Sequence, residues 1–213
     1  MDGIDAILFD WDGTLIDTAL RSFAAFQKTM QELGVPLDSE LYEKTYSPNW
    51  YRMYRALQLP ESKWQEAEDL WLRYYGLETS PLVMGANHVL VELHLRGYCL
   101  GVVTSGSQSR VLREISILGV AGLFKVIVCN EDVSKKKPNP EGLEMAMRLI
   151  NRRPEACCYV GDSTDDVEMG KRANMRTIGI MGRYPGSRNL ANANPDFYLE
   201  SIIQILGHFA TLT

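Results

Sequence analysis

Residues 7–14 read Ile7-Leu8-Phe9-Asp10-Trp11-Asp12-Gly13-Thr14, and the way this stretch ends decides the fold. An apolar, β-type run that begins at Ile4 and continues through Ala6, Ile7, Leu8 and Phe9 stops abruptly on two aspartates one residue apart. Gly13 and Thr14 then permit a tight turn. A carboxylate at the mouth of a buried strand is costly unless something compensates it, usually a cation. Two so close repel, which implies a bound metal, a shared proton, or a division of labour between nucleophile and acid. The competing reading is an ordinary helix entry capped by Asp12 or Thr14.

Three later segments weigh against that competing reading. Gly101-Val102-Val103-Thr104-Ser105-Gly106 is a second apolar strand, ending in a hydroxyl and a glycine turn. Lys135-Lys136-Lys137-Pro138-Asn139-Pro140 sets a lysine just before a proline-started helix. Tyr159-Val160-Gly161-Asp162-Ser163-Thr164-Asp165-Asp166 is a third strand, whose terminal carboxylates open a helix. Strand-like runs at 4–10, 98–104, 124–129, 156–161 and 175–180 alternate with helical spacing at Val111, Ile115 and Leu118 and at Leu143, Ala146, Met147 and Ile150. Short apolar strands covered by helices predict an α/β fold with a doubly wound parallel sheet. Ligands bind such sheets beyond the carboxyl ends of the strands, where each of these polar clusters falls.

Residues 18–80 break the alternation. Ala19, Phe23, Phe26, Met30 and Leu33 mark one amphipathic helix that stops near Gly34-Val35-Pro36. A second helix follows Asp38-Ser39, a third covers 49–58, and a fourth carries Trp64, Ala67, Trp71 and Tyr74. The expectation is a small α-helical domain at 18–80, inserted into a Rossmann-like core made of 1–17 and 81–213. Hinges are expected near Asp17-Thr18 and Ser80-Pro81.

Composition sets bounds that agree. The 213-residue chain is 46 % apolar, enough for a sizeable core, yet no stretch is long or apolar enough to span a membrane. Asp2 and Asp5 stand where a secretory leader would be basic. The net charge of −5, without a large basic tract, argues against nucleic-acid binding. A cytoplasmic enzyme acting on a small molecule is the expectation, with neither membrane nor nucleic acid as a partner, and a monomer or weak homodimer as its state. Cys99, Cys129, Cys157 and Cys158 lie in apolar runs without metal-ligand spacing, so they read as reduced, structural thiols. His88, His94 and His208 fit no ligand spacing either and read as helix-surface residues.

In their order (carboxylate pair, hydroxyl, lysine, carboxylate pair) the four motifs resemble the haloacid dehalogenase superfamily of phosphatases and phosphotransferases. The likeness is strongest over 4–18 and 97–182 and falls in the phosphoglycolate phosphatase and β-phosphoglucomutase-like group. It implies a Rossmannoid core, with the helical segment serving as a cap over the site. It also implies phosphoryl transfer, which needs an in-line nucleophile, a cation on the phosphate oxygens and fixed donors around them. On that resemblance Asp10 is the nucleophile, forming an aspartyl-phosphate. Asp12 is the general acid on the leaving oxygen and then the base on the attacking water. Magnesium is held by the Asp10 carboxylate, the Asp12 backbone carbonyl and Asp162, with Asp166 orienting metal-bound water. Thr104, with the amides of Ser105 and Gly106, holds the phosphate, and Lys137 neutralises it. Lys135 and Lys136 read as solvated, and Asp165 as a surface acid in the first helical turn. Asn174 stands where the family commonly has glycine, a change that a left-handed helix stop tolerates.

Departures from relatives within the family narrow the reaction. Dehalogenases lack the aspartate present here as Asp12. Sugar phosphomutases carry a histidine where this chain has Ser22. A phosphonatase needs a Schiff-base lysine, and Lys28, Lys44 and Lys63 sit in ordinary polar helix contexts. A phosphomonoester hydrolase remains, acting on a phosphoglycolate- or sugar-phosphate-like ester. A phosphomutase and a catalytically weak binding protein on the same fold are the alternatives. For substrate choice the sequence offers Trp50, as a stacking surface, and Arg52, as a grip on a second anionic group. Tyr51 and Tyr54 read as packing of the helical segment, and Gly182-Arg183-Tyr184-Pro185-Gly186 as a border of the entrance.

Overall fold

The opening apolar run becomes the central strand of a sheet. In the computed structural model, which describes residues 1 and 3–212, β1 (Ala6–Phe9) is buried throughout. Asp2, read above as an acid in place of a leader's basic residue, lies outside the described residues. The flanking partners of β1 are β2 (Cys99–Val103) and β4 (Cys157–Gly161), both parallel to it. With β3 (Phe124–Val128), β5 (Arg176–Ile180) and β6 (Phe197–Leu199) they form a six-stranded sheet in the order β3-β2-β1-β4-β5-β6, every pairing parallel. The fold is the doubly wound α/β arrangement expected from the alternation of strand and helix patterns.

Alternation along β1 divides the core into two layers. Ile7 and Phe9 face Leu90 and Leu93 of α5 (Ala86–Leu95) and Val111 and Ile115 of α6 (Gln108–Ile117). Ala6 and Leu8 face Leu143, Ala146 and Met147 of α7 (Glu141–Ile150), and Met169 of α8 (Thr164–Arg172) belongs to the same cluster. Register then aligns the strand ends. Phe9 lies beside both Val102 and Val160, so Asp10, Thr104 and Asp162 leave the sheet at one edge.

Residues 18–80 hold the four expected helices, here labelled by their place before α5: α1 (Ala19–Glu32), α2 (Ser39–Thr45), α3 (Trp50–Ala56) and α4 (Trp64–Tyr75). Each boundary has a local cause. Gly34, at φ +75°, ends α1, and the Val35 amide reaches back to the Met30 carbonyl at 2.8 Å. Asp38 caps α2 by accepting from the Leu41 amide at 2.7 Å, and Asn49 caps α3 through the Tyr51 amide at 3.2 Å. Their inward faces share a separate aromatic cluster built on Phe26, Tyr42, Tyr54, Trp71 and Tyr75. Tyr54 is wholly buried there and Tyr51 stacks on Trp64 at 4.9 Å, so both pack this segment as expected.

Among the strands and α-helices of the described residues, two lie outside the patterns read from the sequence. The sixth strand, β6, is three residues long with Phe197 and Tyr198 exposed, so it has neither the length nor the apolar run of a buried strand. The second is α5, which packs beside β2 and carries His88 and His94 on its exposed face. Cys129, Cys157 and Cys158 are buried and unpaired, and burial pushes the thiols of Cys129 and Cys157 up to about 12, which leaves them inert. Asn174 ends α8 in the left-handed conformation, at φ +57°. Among the described residues no helix is long and apolar enough to cross a membrane.

Gly101 in β2 is a tightly packed point of the sheet. A Cβ there would stand 2.5 Å from Val126 Cγ1 and 2.7 Å from Leu8 Cδ2. Gly101→Ala should therefore destabilise the protein by about 1–3 kcal/mol through overpacking. In urea unfolding this would lower the midpoint with the slope unchanged, and an unmoved midpoint would contradict the packing described.

Candidate active site

Three buried carboxylates meet beyond the ends of β1 and β4. Oxygens of Asp10, Asp162 and Asp166 lie within 4.8 Å of one another. Asp10 follows β1 directly, its amide bonded to the Val160 carbonyl at 2.8 Å. Asp162 follows β4, receiving the Thr14 hydroxyl on Oδ1 and the Ser187 hydroxyl on Oδ2, both at 3.3 Å. Gly13, at φ +83°, makes this approach possible, because a Cβ on it would collide with Asp162 Oδ2. Asp166 lies in the first turn of α8, where Ser163 and Asp166 form a reciprocal capping box.

Among the described residues, Lys137 is the one cation set among them. Its Nζ donates to Asp10 Oδ1 and Asp166 Oδ1, each at 2.7 Å, and the side chain is buried. Asp166 also accepts from the Tyr159 hydroxyl at 3.2 Å, the Ser163 amide at 3.0 Å and the Ser163 hydroxyl at 2.6 Å. Four donors fill the acceptor positions of that carboxylate, so it acts as an anchor for Lys137.

Charge does not balance here within the protein. Burial pushes the Asp10 carboxyl up to about 7, Lys137 pulling it down and Asp166 adding repulsion. Asp162 is raised well above the usual carboxylate range, first by burial and then by Asp166 and Asp10. Burial alone would lower the Lys137 ammonium, but Asp10 and Asp166 override it and hold it well above its ordinary value. A donor set made only of oxygens, carrying more negative charge than one lysine offsets, fits a hard divalent cation.

Asp12 points elsewhere. Its carboxylate stands outside the three-carboxylate group and receives Arg110 Nη1 on Oδ1 at 3.0 Å, Arg110 Nη2 on Oδ2 at 2.5 Å, and the Thr18 hydroxyl at 2.9 Å. The two aspartates of the opening motif therefore occupy distinct electrostatic environments.

A cavity of about 50 Å³ lies over this group, between the strand ends and the helices of residues 18–80. Thr104, Ser105 and Gly106 line it together with Asp10, Asp12 and Lys137. Thr104 Oγ1 accepts from the Gly106 amide at 3.0 Å, which fixes the loop. Trp50 also lines the cavity and packs on Trp71 at 4.6 Å. Tyr184, from the 182–186 segment, closes one side.

Some expected neighbours are elsewhere. Arg52 is absent from the cavity wall, and its guanidinium reaches Asp165 at 3.2 Å. Asp165 is correspondingly buried and not a surface acid, because this ion pair draws it inward. Lys136 is half-buried and not simply solvated, since its ammonium donates to the carbonyls of Asn130 at 2.7 Å and Val133 at 3.1 Å. Lys135 is exposed as expected. Arg110 was not legible as a site residue: with Glu114 it forms an i,i+4 pair on α6, a spacing that ordinarily marks a solvated face. Only its place in the helix that follows Thr104-Ser105-Gly106 hinted otherwise.

Comparison with known proteins shows the family. The family model of haloacid dehalogenase-like hydrolases matches residues 7–180, and the chain belongs to that family. It is thus a hydrolase with the family's Rossmannoid fold. Pyrophosphatase PpaX from Listeria innocua is 30 % identical over 212 residues, covering 95 % of each chain. Phosphoglycolate phosphatase from Nitrosococcus oceani is 28 % identical, covering 94 % of each. CbbY from Rhodobacter sphaeroides, whose crystal structure holds phosphate, superposes with a TM-score of 0.81 at 27 % identity over 95 % of this chain and 96 % of that one.

The charge imbalance yields a direct test without turnover. A divalent cation at 100 times its dissociation constant should raise stability by about 2.7 kcal/mol, which is several degrees in melting temperature. Asp162→Asn should lose most of that gain, and an equal gain in wild type and variant would show that the cation binds elsewhere.

Proposed function

We propose that this protein is a Mg²⁺-dependent phosphatase that hydrolyses a small-molecule phosphomonoester, phosphoglycolate-like or sugar-phosphate-like, through an aspartyl-phosphate on Asp10. The observation that carries the reading is the pairing of Asp10 with Lys137 at 2.7 Å, beside a second carboxylate held apart from it. An ionised nucleophile and a separate proton carrier are what phosphomonoester cleavage requires. Full-length similarity to proteins named as phosphatases supports the same class.

The proposed course assigns each side chain one task. Thr104, with the amides of Ser105 and Gly106, binds the phosphoryl oxygens. Lys137 offsets the charge of those oxygens and of Asp10. A bond forms from an Asp10 carboxylate oxygen to phosphorus as the ester P–O bond breaks, and Asp12 gives its proton to the departing oxygen. In the second half Asp12 takes a proton from water, whose oxygen attacks phosphorus while the Asp10–phosphorus bond breaks. Asp10, Asp162 and the Asp12 carbonyl would hold magnesium, which would add neutralisation of the phosphate charge when bound. The Asp166 carboxylate keeps Lys137 aimed at the nucleophile.

Residues 18–80 act in this proposal as a cap that selects the leaving group, hinged near Asp17-Thr18 and Ser80-Pro81. Trp50 lies against the substrate from that side. Arg52, committed to Asp165, is a weaker candidate than the sequence made it. A cavity of about 50 Å³ supports a compact substrate, and the PpaX relatives add inorganic pyrophosphate as a second reading. Ser22 on the cavity wall, where mutases carry histidine, counts against the phosphomutase alternative.

Phosphate release from phosphoglycolate, pyrophosphate, sugar phosphates, nucleotides and an aryl phosphate, with magnesium and with chelator, tests the proposal. Magnesium-dependent release from at least one of them is expected, whereas silence across the panel would reject it. Asp10→Asn should keep the fold and lose at least about 10³-fold in kcat, because an amide does not attack phosphorus. Lys137→Ala should lose about 10²–10³-fold while Lys135→Ala changes little, and equal effects would mean that the wrong lysine is assigned.

A further inference from the structure

Two buried charges remain that neither the fold nor the steps above use. Arg110 is 3 % exposed and Glu114, one turn later on α6, is fully buried. Arg110 Nη1 donates to Glu114 Oε2 at 2.9 Å while the same guanidinium holds both oxygens of Asp12. Glu114 is fixed in turn by Trp11 Nε1 at 2.9 Å and the Tyr75 hydroxyl at 3.0 Å. The guanidinium lies over the Tyr75 ring, 5.2 Å from its centroid. An apolar pair of similar volume would cost the interior less than these two ions, so stability alone does not account for them.

Local geometry shows where the device points. Gly106 has no side chain to obstruct it, and a Cβ there would collide with Arg110 Nη2. The glycine of the proposed phosphate loop thus gives Arg110 its path to Asp12. A carboxylate offers about four acceptor positions. On Asp12 the planar guanidinium fork takes one on each oxygen and Thr18 takes a third. One is left, on a side chain that lines the cavity, and it is the position from which a proton can pass to or from substrate.

We propose that Arg110 is a positioning residue for Asp12, fixing by its bidentate contact which carboxylate lone pair meets the leaving group, and that Glu114, Trp11 and Tyr75 hold Arg110 in that pose. The inference rests on the reading of Asp12 as proton donor and acceptor. It assigns Tyr75, on α4, a part in aligning a group that belongs to the strand β1 end. Misalignment of a proton carrier by about 1 Å lowers turnover by roughly 10²-fold while leaving binding almost untouched.

The test separates proton transfer from binding and from general damage. Wild type, Arg110→Lys, Tyr75→Phe and the double variant Arg110→Gln/Glu114→Gln, which removes both buried charges together, are compared by melting temperature and kinetics. Three esters serve as probes: ethyl phosphate and phosphoglycolate, whose leaving oxygens need a proton, and p-nitrophenyl phosphate, whose leaving group does not. For Arg110→Lys and the double variant, kcat on the two alkyl esters should fall about 10²-fold with KM nearly constant. Single-turnover release of p-nitrophenol, with enzyme in excess, should fall far less. Tyr75→Phe should show the same pattern at smaller size. Equal losses on all three esters would overturn the proposal in favour of a structural role. A KM rise confined to phosphoglycolate would overturn it too, by making Arg110 a direct ligand of a second substrate anion. A folded wild type inert toward every ester would reject the phosphatase reading and this proposal with it, whereas an active wild type with uniform losses rejects this proposal alone.

Discussion

Everything at the mouth of this sheet depends on one electrostatic constraint: carboxylates that would be expelled from a protein interior are kept there by two cations. Asp10 and Asp166 share Lys137, and Asp12 and Glu114 share Arg110. The two sets are separated by little more than the chain from Asp10 to Asp12. Division between two cations gives the aspartates of the opening motif different partners, which suits a reaction needing one ionised and one proton-carrying carboxylate.

The choice of cation follows the geometry each set needs. Lys137 presents a compact ammonium whose donors reach Asp10 and Asp166 at equal distance, anchored on Asp166 while occupying one oxygen of Asp10. Arg110 presents a planar fork that meets both oxygens of Asp12 and fixes the plane of the carboxylate. A point charge suits a group that must also face a cation and a phosphate. A fork suits a group whose orientation matters most.

Much of this was readable in the chain because the fold places its chemistry at strand ends. Apolar runs that stop on Asp10, Thr104 and Asp162 announce both the parallel sheet and the site, since the same termination serves both. The helices of residues 18–80 were equally legible, from the spacing of their apolar residues and from Asp38-Ser39 at the start of the second. What escaped reading depends on long-range pairing. Arg110 and Glu114 look like a surface i,i+4 pair until the fold buries them against Trp11 and Tyr75, 103 and 39 residues away from Glu114 in sequence. Arg52 misled for the converse reason, because no local pattern reveals that Asp165 takes its guanidinium. The strand β6 is too short and too exposed to announce itself, and exists because the edge of β5 was open to pairing.

The helical segment also reaches the site through its contacts. Its aromatic cluster ends at Trp71 and Tyr75, and these two rings flank the Arg110 guanidinium, at 5.7 and 5.2 Å from their centroids. Tyr75 belongs at once to the inserted helices and, through Glu114, to the charge network of Asp12. Any displacement of α4 from the sheet would therefore strip a hydrogen bond from Glu114 and the aromatic faces from Arg110. A buried guanidinium deprived of those faces gains water in exchange, and its hold on Asp12 weakens with the change in surroundings. The pose of the proposed proton carrier is thereby linked to the seating of the segment proposed to choose the substrate. In that arrangement the contacts that hold Arg110 on Asp12 come from α4 as well as from the sheet.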